Sequence, residues 1–410
     1  MSAIIENFLK ISEISRCSYH TKPMQDFLVY YSKMFGYEVE TDESGNVLAT
    51  TKNPKLTLQA HYDMVCVGDV ANMQIEVKNG RIYSKNSSLG ADNGMAIAMM
   101  MEFMKSRENV EFLFTNNEEV GLIGAIHLDL KIRSDKVLNL DSEEEGLVFI
   151  GCAGGVDFNI TKDLKSYNYK DEVSKISVSN LPGGHSGVDI DKDIDNAILK
   201  LLQRVKREKS IIHSFEGGVA TNAIPANAKA IVSNSYIKKY DEYSKEFIDD
   251  ILSYHNGVLE RNNRFKVVET SNNIGLLKIA NNKLNLQISL RSLDNTKLDK
   301  ASISIANYWR DRGYSVQMHD KYPAWKPEMN EFTNMVKQSL EKEFHKSKEM
   351  VIHAGLECGI LAKKFPHAKF ASIGPNIYNP HSVREIAEIE SIEKTFKCVK
   401  DIIDRLGWES

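Results

Sequence analysis

The chain has 410 residues, of which 42% are hydrophobic and 26% charged, and its net charge is −4 at pH 7. That length predicts roughly two to three domains. The small net charge gives no reason to expect a nucleic-acid or anionic membrane partner, and the longest apolar run, at residues 95–101, is far too short to span a bilayer. The N-terminal segment lacks the basic start and apolar block of a signal peptide, and the five cysteines are scattered and odd in number, so we expect a cytoplasmic protein.

The N-terminal part predicts two helices, a β-hairpin and then a buried strand. Apolar spacing of three and four places the helices at residues 3–15 and 22–35, and the strand lies within residues 55–65. The strand ends on His61 and Asp63, whose side chains leave it on the same side because they lie two residues apart. An imidazole beside a carboxylate suits a metal ligand and a group that fixes its environment. Taken alone, an ordinary polar strand end explains the pair more simply.

Two further stretches place carboxylates where secondary structure changes. A glycine-rich loop at residues 88–94 carries Asp92 near the positive end of an apolar helix, where helix capping is the simpler explanation. The buried strand at residues 110–115 runs into Glu118 and Glu119. Because successive strand residues face opposite ways, one glutamate can bind a metal while the other faces a reacting water. Without further context, a solvated loop explains the pair more simply.

A third apolar strand, at residues 136–140, delivers Asp141 at its C-terminal end, and we interpret the acidic residues after it as solvated surface. In an open α/β sheet the ligand site lies at the carboxyl ends of the strands, so these polar residues are expected to meet at one edge. The remaining ligand has to come from a distant part of the chain. His381, in a loop that follows a buried strand at residues 369–373, is the candidate.

The middle of the chain differs in character, since strands and helices follow one another there, among them a predicted strand at residues 265–270. We predict an α+β domain at residues 173–322, inserted into a first domain made of residues 1–172 and 323–410. The predicted fold class is α/β, with a mixed sheet flanked by helices and the inserted domain as a separate unit.

Eight motifs occur in one order along the chain, and together they closely resemble the aminoacyl-histidine dipeptidases, also called cytosol nonspecific dipeptidases, of the dinuclear-zinc peptidase clan. The resemblance runs from about residue 8 to residue 400. Its specificity lies in the ordered set, since each motif alone is common. The motifs are HYDMVC, SLGADNG, TNNEEVGLIGA, NLDSEEEG with GCAGG, GGHSG, TNAIP, HAGLECG and SIGPNIYNPHS.

The resemblance implies a zinc-exopeptidase-like domain that binds two divalent metal ions. His61 and Asp141 would bind one ion, Glu119 and His381 the other, and Asp92 would bridge them. Zinc is the expected metal, although a carboxylate-rich site also accepts manganese or cobalt.

The resemblance also implies the catalytic roles of two carboxylates. Asp63 would orient His61 and tune its basicity. Glu118 would be the general base, taking a proton from a hydroxide-forming water that bridges the metals and passing it to the leaving amine.

In the same comparison the inserted domain would be a lid and dimerisation domain. His185 matches a lid histidine that stabilises the developing oxyanion, whereas a turn histidine is the simpler interpretation of its sequence alone. Asn222 and Arg291 match positions that hold the C-terminal carboxylate of the substrate, the alternative for Arg291 being a surface arginine at a strand end. Gly355 would offer backbone contacts to the substrate, and Glu357 would meet its free amine.

The function implied is a cytoplasmic dipeptidase that hydrolyses unblocked dipeptides of the Xaa-His or β-Ala-His type and forms a homodimer through the inserted domain. The chain is shorter than we expect for this family, and the missing length falls in the inserted domain, which leaves substrate fit and subunit arrangement open. The alternatives are a tripeptidase or an N-acyl-amino-acid deacylase of the same clan, or a metal-binding relative without catalytic activity.

Overall fold

The computed structural model describes residues 2–106, 109–166, 172–234 and 237–408. Within these ranges no helix is long and apolar enough to cross a membrane. Besides a 3-10 turn at Val70–Asn72, the helices in chain order are α1 (Ala3–Ser12), α2 (Lys22–Met34), α3 (Ala91–Met104), α4 (Ile123–Ile126), α5 (Ala197–Glu208), α6 (Ile237–Tyr243), α7 (Lys245–Ser253), α8 (Asn295–Arg310), α9 (Glu331–Phe344), α10 (Glu357–Lys364) and α11 (Ile389–Trp408).

In the described part of the chain the strands belong to four sheets. In chain order they are β1 (Glu38–Thr41), β2 (Val47–Thr50), β3 (Leu56–His61), β4 (Ile75–Lys78), β5 (Arg81–Ser84), β6 (Val110–Thr115), β7 (Lys136–Asn139), β8 (Leu147–Cys152), β9 (Gly154–Asp163), β10 (Val173–Val178), β11 (Gly184–His185), β12 (Ser210–Gly217), β13 (Ala223–Ile224), β14 (Ala228–Asn234), β15 (Gly257–Asn262), β16 (Val267–Ala280), β17 (Lys283–Ser292), β18 (Ser315–Tyr322), β19 (Lys348–Ile352), β20 (Lys369–Ser372), β21 (Ile377–Tyr378) and β22 (Ile386–Glu388).

The chain folds into two compact units. The first comprises Met1–Gly151, Pro327–Val351 and Leu356–Ser410, and the second Cys152–Lys326 and Ile352–Gly355. The first boundary therefore differs from the one predicted after residue 172. The reason is β9, which pairs with β17 and β18 and so belongs to the second unit.

The first unit is built on an eight-stranded mixed sheet in the order β1-β2-β6-β3-β7-β20-β8-β19. Its central strands β6, β3, β7 and β20 run parallel to one another, while β1 and β2 are antiparallel. Strands β3 and β6 are buried along their whole length, as expected for continuous apolar runs in a sheet covered on both faces. Helix α3 is apolar on nearly every side and packs between α1 and β3. The four parallel strands all end at one edge of the sheet, which is where the site lies.

The second unit is an antiparallel sheet covered by helices. Its strand order is β10-β14-β12-β16-β17-β9-β18, with β15 paired to β16. Helix α5 is capped at its N-terminus by Asn196, whose side-chain oxygen accepts hydrogen bonds from the backbone N–H groups of Ile198 and Leu199. The apolar face of α5 and the inner faces of α7 and α8 pack on the sheet in one continuous core. A short separate ribbon, β11 with β13, carries His185 opposite Ala223.

One cysteine pair forms a disulfide that was not anticipated from the sequence. Cys17 and Cys66 form a disulfide with their Cα atoms 5.5 Å apart, while Cys152, Cys358 and Cys398 are buried and outside any disulfide. The pair was missed because its members lie 49 residues apart and meet only when the segment after α1 packs beside the end of β3. Since disulfides are characteristic of oxidising compartments, the cysteines no longer support a reducing one.

Candidate active site

The carboxyl ends of the parallel strands bring His61, Asp92 and Asp141 into contact. His61 is the last residue of β3, Asp92 lies at the start of α3, and Asp141 follows β7. The Nε2 atom of His61 is 3.0 Å from Asp92 Oδ1 and 3.2 Å from Asp141 Oδ1. All three side chains therefore offer a ligand atom to one small volume.

Asp92 also takes part in a second group, with Glu119 and His381. The Nε2 atom of His381 is 2.9 Å from Asp92 Oδ2 and 2.9 Å from Glu119 Oε2. In each of the two groups the ligand atoms lie within 4.8 Å of one another. The two oxygens of Asp92 thus face two different histidines, which is the arrangement of a carboxylate shared between two metal positions.

The chemistry of this donor set fits divalent cations. Imidazole and carboxylate groups without a thiolate are typical of hydrolytic metal sites with open positions. Glu119 Oε1 is buried and has no hydrogen-bond partner. Burial raises the pKa of the Glu119 and Asp141 carboxyl groups, and Asp92 raises both further. A bound cation stabilises buried carboxylates that lie this close together, in addition to the contacts that His61 and His381 make with them.

Asp63 holds the backbone around the cluster. Its carboxylate accepts hydrogen bonds from the Glu118 N–H at 2.9 Å, the Glu119 N–H at 3.3 Å and the Ser18 hydroxyl at 2.8 Å. The Nδ1 atom of His61 lies 3.1 Å from the Asp63 carbonyl oxygen and 3.5 Å from its carboxylate, so Nε2 is left for a metal. Burial acts to raise the pKa of Asp63, but hydrogen bonds from His61, the Glu118 N–H and Ser18 outweigh burial and lower this pKa.

Glu118 is half-buried and offers its carboxylate beside His61. The backbone leaves β6 at Thr115 and turns through a left-handed conformation at Asn117, where φ is 52°. Burial raises the pKa of Glu118 well above its usual value, and the Asp141 and Glu357 carboxylates add to this effect. A raised pKa makes the ionised carboxylate a stronger base toward a reacting water.

Glu357 lies in the first unit and is fully buried. Its Oε2 atom accepts hydrogen bonds from Gln59 Nε2 at 2.6 Å and Thr115 Oγ1 at 2.7 Å, on strands β3 and β6. Burial raises its pKa to about 7. One carboxylate oxygen is therefore bonded to the sheet rather than exposed, and the predicted contact with the free amine of a substrate stays a prediction.

Four other predicted substrate residues lie in the second unit, beginning with His185. Its Nδ1 atom accepts hydrogen bonds from the backbone N–H groups of Gly187 and Val188, at 3.2 and 3.1 Å. The proton of the neutral ring is therefore on Nε2. Burial, assisted by the charge of Arg291, lowers the pKa of His185 to about 4. The ring is thus a neutral donor at physiological pH.

Arg291, Gly355 and Asn222 lie near Tyr322 or Ser186 in the second unit. Arg291 is only 7% exposed and donates from Nη1 to the Tyr322 hydroxyl at 2.7 Å. A Cβ atom on Gly355 would lie 2.9 Å from the Tyr322 ring, so that position requires glycine. The Asn222 carbonyl accepts a hydrogen bond from the Ser186 N–H at 2.9 Å, beside His185. The structure thus brings the four residues together around Ser186 and Tyr322, neither of which we singled out from the sequence.

Two charged residues next to the cluster, Arg16 and Glu385, were also missed. Both are 2% exposed. Glu385 lies in a polar stretch that resembles a solvated surface. Its position four residues after His381 was the one feature of the sequence that placed it near the predicted metal site. Arg16 carried no signal beyond its position next to Cys17.

The chain is similar to known peptidases. Residues 57–405 match the peptidase family M20/M25/M40. The cytosol non-specific dipeptidase of Escherichia coli (strain K12) is 30% identical over 468 residues, covering 97% of this chain and 96% of the relative. The crystal structure of the aminoacylhistidine dipeptidase from Vibrio alginolyticus has a TM-score of 0.80 at 27% identity, covering 98% of this chain and 96% of that one.

A tripeptidase from Staphylococcus aureus has a TM-score of 0.65 at 19% identity, with 98% of each chain covered, and this likeness shows the fold alone. Together the matches confirm the resemblance drawn from the eight motifs and the predicted α/β fold.

Proposed function

Since the chain belongs to the peptidase family M20/M25/M40 and is a metal-dependent peptidase, we propose that it is a dinuclear dipeptidase acting on unblocked dipeptides. The observation that carries the proposal is the position of Asp92, whose two oxygens each face one histidine and one further carboxylate. His61 and Asp141 would hold one ion and Glu119 and His381 the other. Zinc is the proposed metal, because histidine and carboxylate ligands with open positions suit it.

When bound, the two cations would supply an activated water and polarise the carbonyl oxygen of the peptide bond. Glu118 would accept the proton of the attacking water and return it to the leaving amine, which suits its position beside His61. Asp63 would keep Glu118 and Glu119 in place through their backbone N–H groups. These residues account for proton transfer and for the geometry of the ligands.

The second unit would bind and polarise the substrate. His185 would donate its Nε2–H to the developing oxyanion, since two backbone N–H groups occupy Nδ1. Arg291 would hold the C-terminal carboxylate with a guanidinium already oriented by Tyr322. Asn222 and Gly355 would complete the carboxylate site, and Glu357 would remain the candidate partner for the free amine. Xaa-His or β-Ala-His dipeptides are the proposed substrates, in line with the name of the Vibrio alginolyticus enzyme.

The test is turnover of purified protein on a panel of dipeptides, tripeptides and N-acyl amino acids, before and after removal of metal with a chelator. We expect the highest kcat/KM for unblocked dipeptides, loss of turnover in the metal-free protein, and recovery with two equivalents of zinc. Full turnover without metal would refute the metal-dependent mechanism. A clear preference for tripeptides would indicate a tripeptidase, and a clear preference for blocked amines would indicate an N-acyl-amino-acid deacylase.

We also propose a cytoplasmic location and a homodimer formed through the second unit. The location follows the name of the Escherichia coli relative, and the disulfide Cys17–Cys66 is the observation against it. Cell fractionation, with alkylation of thiols before lysis, tests both the compartment and the state of the pair. Sedimentation of the purified chain tests the dimer, and a monomer at micromolar concentration would contradict it.

A further inference from the structure

The carboxylate of Glu385 binds the loop that carries Asp92. Its Oε2 atom accepts hydrogen bonds from the backbone N–H groups of Leu89 and Gly90, both at 2.8 Å. Its Oε1 atom accepts from those of Ala91 and Asp92, at 2.7 and 3.2 Å. Four consecutive N–H groups, at and before the start of α3, therefore converge on one side chain. Such N–H groups have no partner within a helix and bind anions well.

Arg16 binds the same loop through the Gly90 carbonyl group. Its guanidinium donates from Nη2 to the carbonyl oxygen of Gly90. Both side chains are buried, and the charge of Glu385 is among those that act on Arg16. A Cβ atom on Gly90 would lie 2.4 Å from Arg16 Nη2, and one on Gly94 2.6 Å. The arginine thus occupies space that only glycines leave open.

The position of Glu385 in the chain links the two metal-binding groups. It follows His381 by four residues, so its backbone belongs to the segment that carries His381. Its carboxylate is bonded to the loop whose Asp92 faces both His61 and His381. The spacing between the His381 segment and the Asp92 loop therefore depends on this contact.

We propose that Glu385 is a positioning residue that fixes the Asp92 carboxylate between the two metal positions, with Arg16 holding the same loop at the Gly90 carbonyl. This inference rests on the metal site of the proposed function and adds residues that bind no metal themselves. Groups that orient metal ligands commonly change metal affinity by about 10- to 100-fold when they are replaced.

Glu385→Gln is the informative substitution, because it keeps the size of the side chain and replaces one acceptor oxygen with an amide donor. That donor would face N–H groups that are donors themselves. The matched control is Glu390→Gln, five residues later, where the side chain is 75% exposed and makes an ion pair with Lys394. Glu385→Asp keeps both oxygens on a shorter side chain and serves as the conservative variant.

The experiment measures Zn²⁺ and Co²⁺ affinity of the full chain by competition with a chelator, together with the visible spectrum of the Co²⁺ form. We expect Glu385→Gln to lose about 10- to 100-fold in affinity and to change the Co²⁺ spectrum, with Glu385→Asp intermediate and Glu390→Gln unchanged. Circular dichroism of the metal-free proteins shows whether each variant is folded.

Wild-type affinity and an unaltered spectrum in folded Glu385→Gln would overturn the proposal. If Glu385→Gln does not fold, the metal affinity of Glu385→Asp tests the proposal instead. Wild-type affinity in Glu385→Asp would then overturn the proposal. The test uses metal binding rather than turnover. A wild-type chain that binds metal but cleaves no dipeptide would therefore refute the proposed function and leave the positioning role intact.

Discussion

Replacing Asp63 with asparagine should weaken both the fold and the metal site, because this carboxylate accepts hydrogen bonds on both of its oxygens. Oδ1 accepts from the Glu118 N–H, and Oδ2 accepts from the Glu119 N–H and the Ser18 hydroxyl. Asparagine keeps one acceptor and turns the other position into an NH₂ donor. The Ser18 hydroxyl can rotate to accept, but the Glu119 N–H cannot, so one buried donor loses its partner.

The magnitude follows from these contacts. A hydrogen bond to a charged group contributes about 1.5–3 kcal/mol, and a buried group left unpaired costs about 1–3 kcal/mol. We therefore expect Asp63→Asn to lower the free energy of unfolding of the metal-free protein by about 3 kcal/mol. Because Glu119 and His61 both shift, zinc affinity should fall by about 10- to 100-fold.

Denaturant unfolding of the metal-free proteins and zinc competition with a chelator measure the two quantities. Asp135→Asn is the control, since that side chain is 66% exposed at the opposite end of the same sheet. Unfolding free energy and zinc affinity equal to those of the wild type would show that the Asp63 contacts do not support the site.

Three further outcomes are expected. Glu118→Gln should keep its bound metal, measured by elemental analysis, and lose about 10²- to 10⁴-fold in kcat; equal activity would remove Glu118 as the base. Replacing Cys17 and Cys66 with serine should lower the free energy of unfolding by up to about 4 kcal/mol, from the chain entropy of a loop spanning 49 residues, and unchanged denaturant midpoints with and without reductant would contradict this. Burial lowers the pKa of His353 to about 3, so the unfolded chain binds more protons below about pH 6.5, and stability should fall as the pH drops from there toward 3. His353→Gln should reduce this acid dependence in calorimetry, and an identical pH profile would count against it.

The sequence predicted those parts of the fold in which local pattern and tertiary environment agree. Strands β3, β6 and β7 are continuous apolar runs, and the structure buries them in a parallel sheet, where such runs belong. Strand β16 was predicted to end near residue 270, yet it continues to Ala280. The part beyond Thr270 contains Asn272, Asn273 and Gly275, residue types that disfavour strands, and pairing with β17 along that length overrides the local preference.

The proximity of the predicted metal-binding residues could be anticipated because parallel strands deliver their last residues to one edge. The strand pattern placed His61 and Asp141 at that edge, whereas their assignment as ligands, together with Asp92, Glu119 and His381, came from the ordered motifs and stays a prediction. The residues that hold ligands in place left weaker signals. Glu385, Glu388 and Glu390 lie close together near the start of α11, and nothing in their spacing shows that Glu385 alone is buried against a loop almost three hundred positions earlier in the chain.

Asp63 and Glu385 both accept hydrogen bonds from backbone N–H groups in the first unit. These contacts have a consequence for metal binding. Asp63 contacts His61 of one metal group and the backbone of Glu119 of the other. Glu385 binds the Asp92 loop, which serves both groups, and shares its segment with His381. Each of these two carboxylates is therefore connected to residues of both predicted metal positions. Loss of either carboxylate should weaken the binding of two ions together, whereas loss of a ligand such as Asp141 should weaken one ion first, and titration with zinc separates these two patterns.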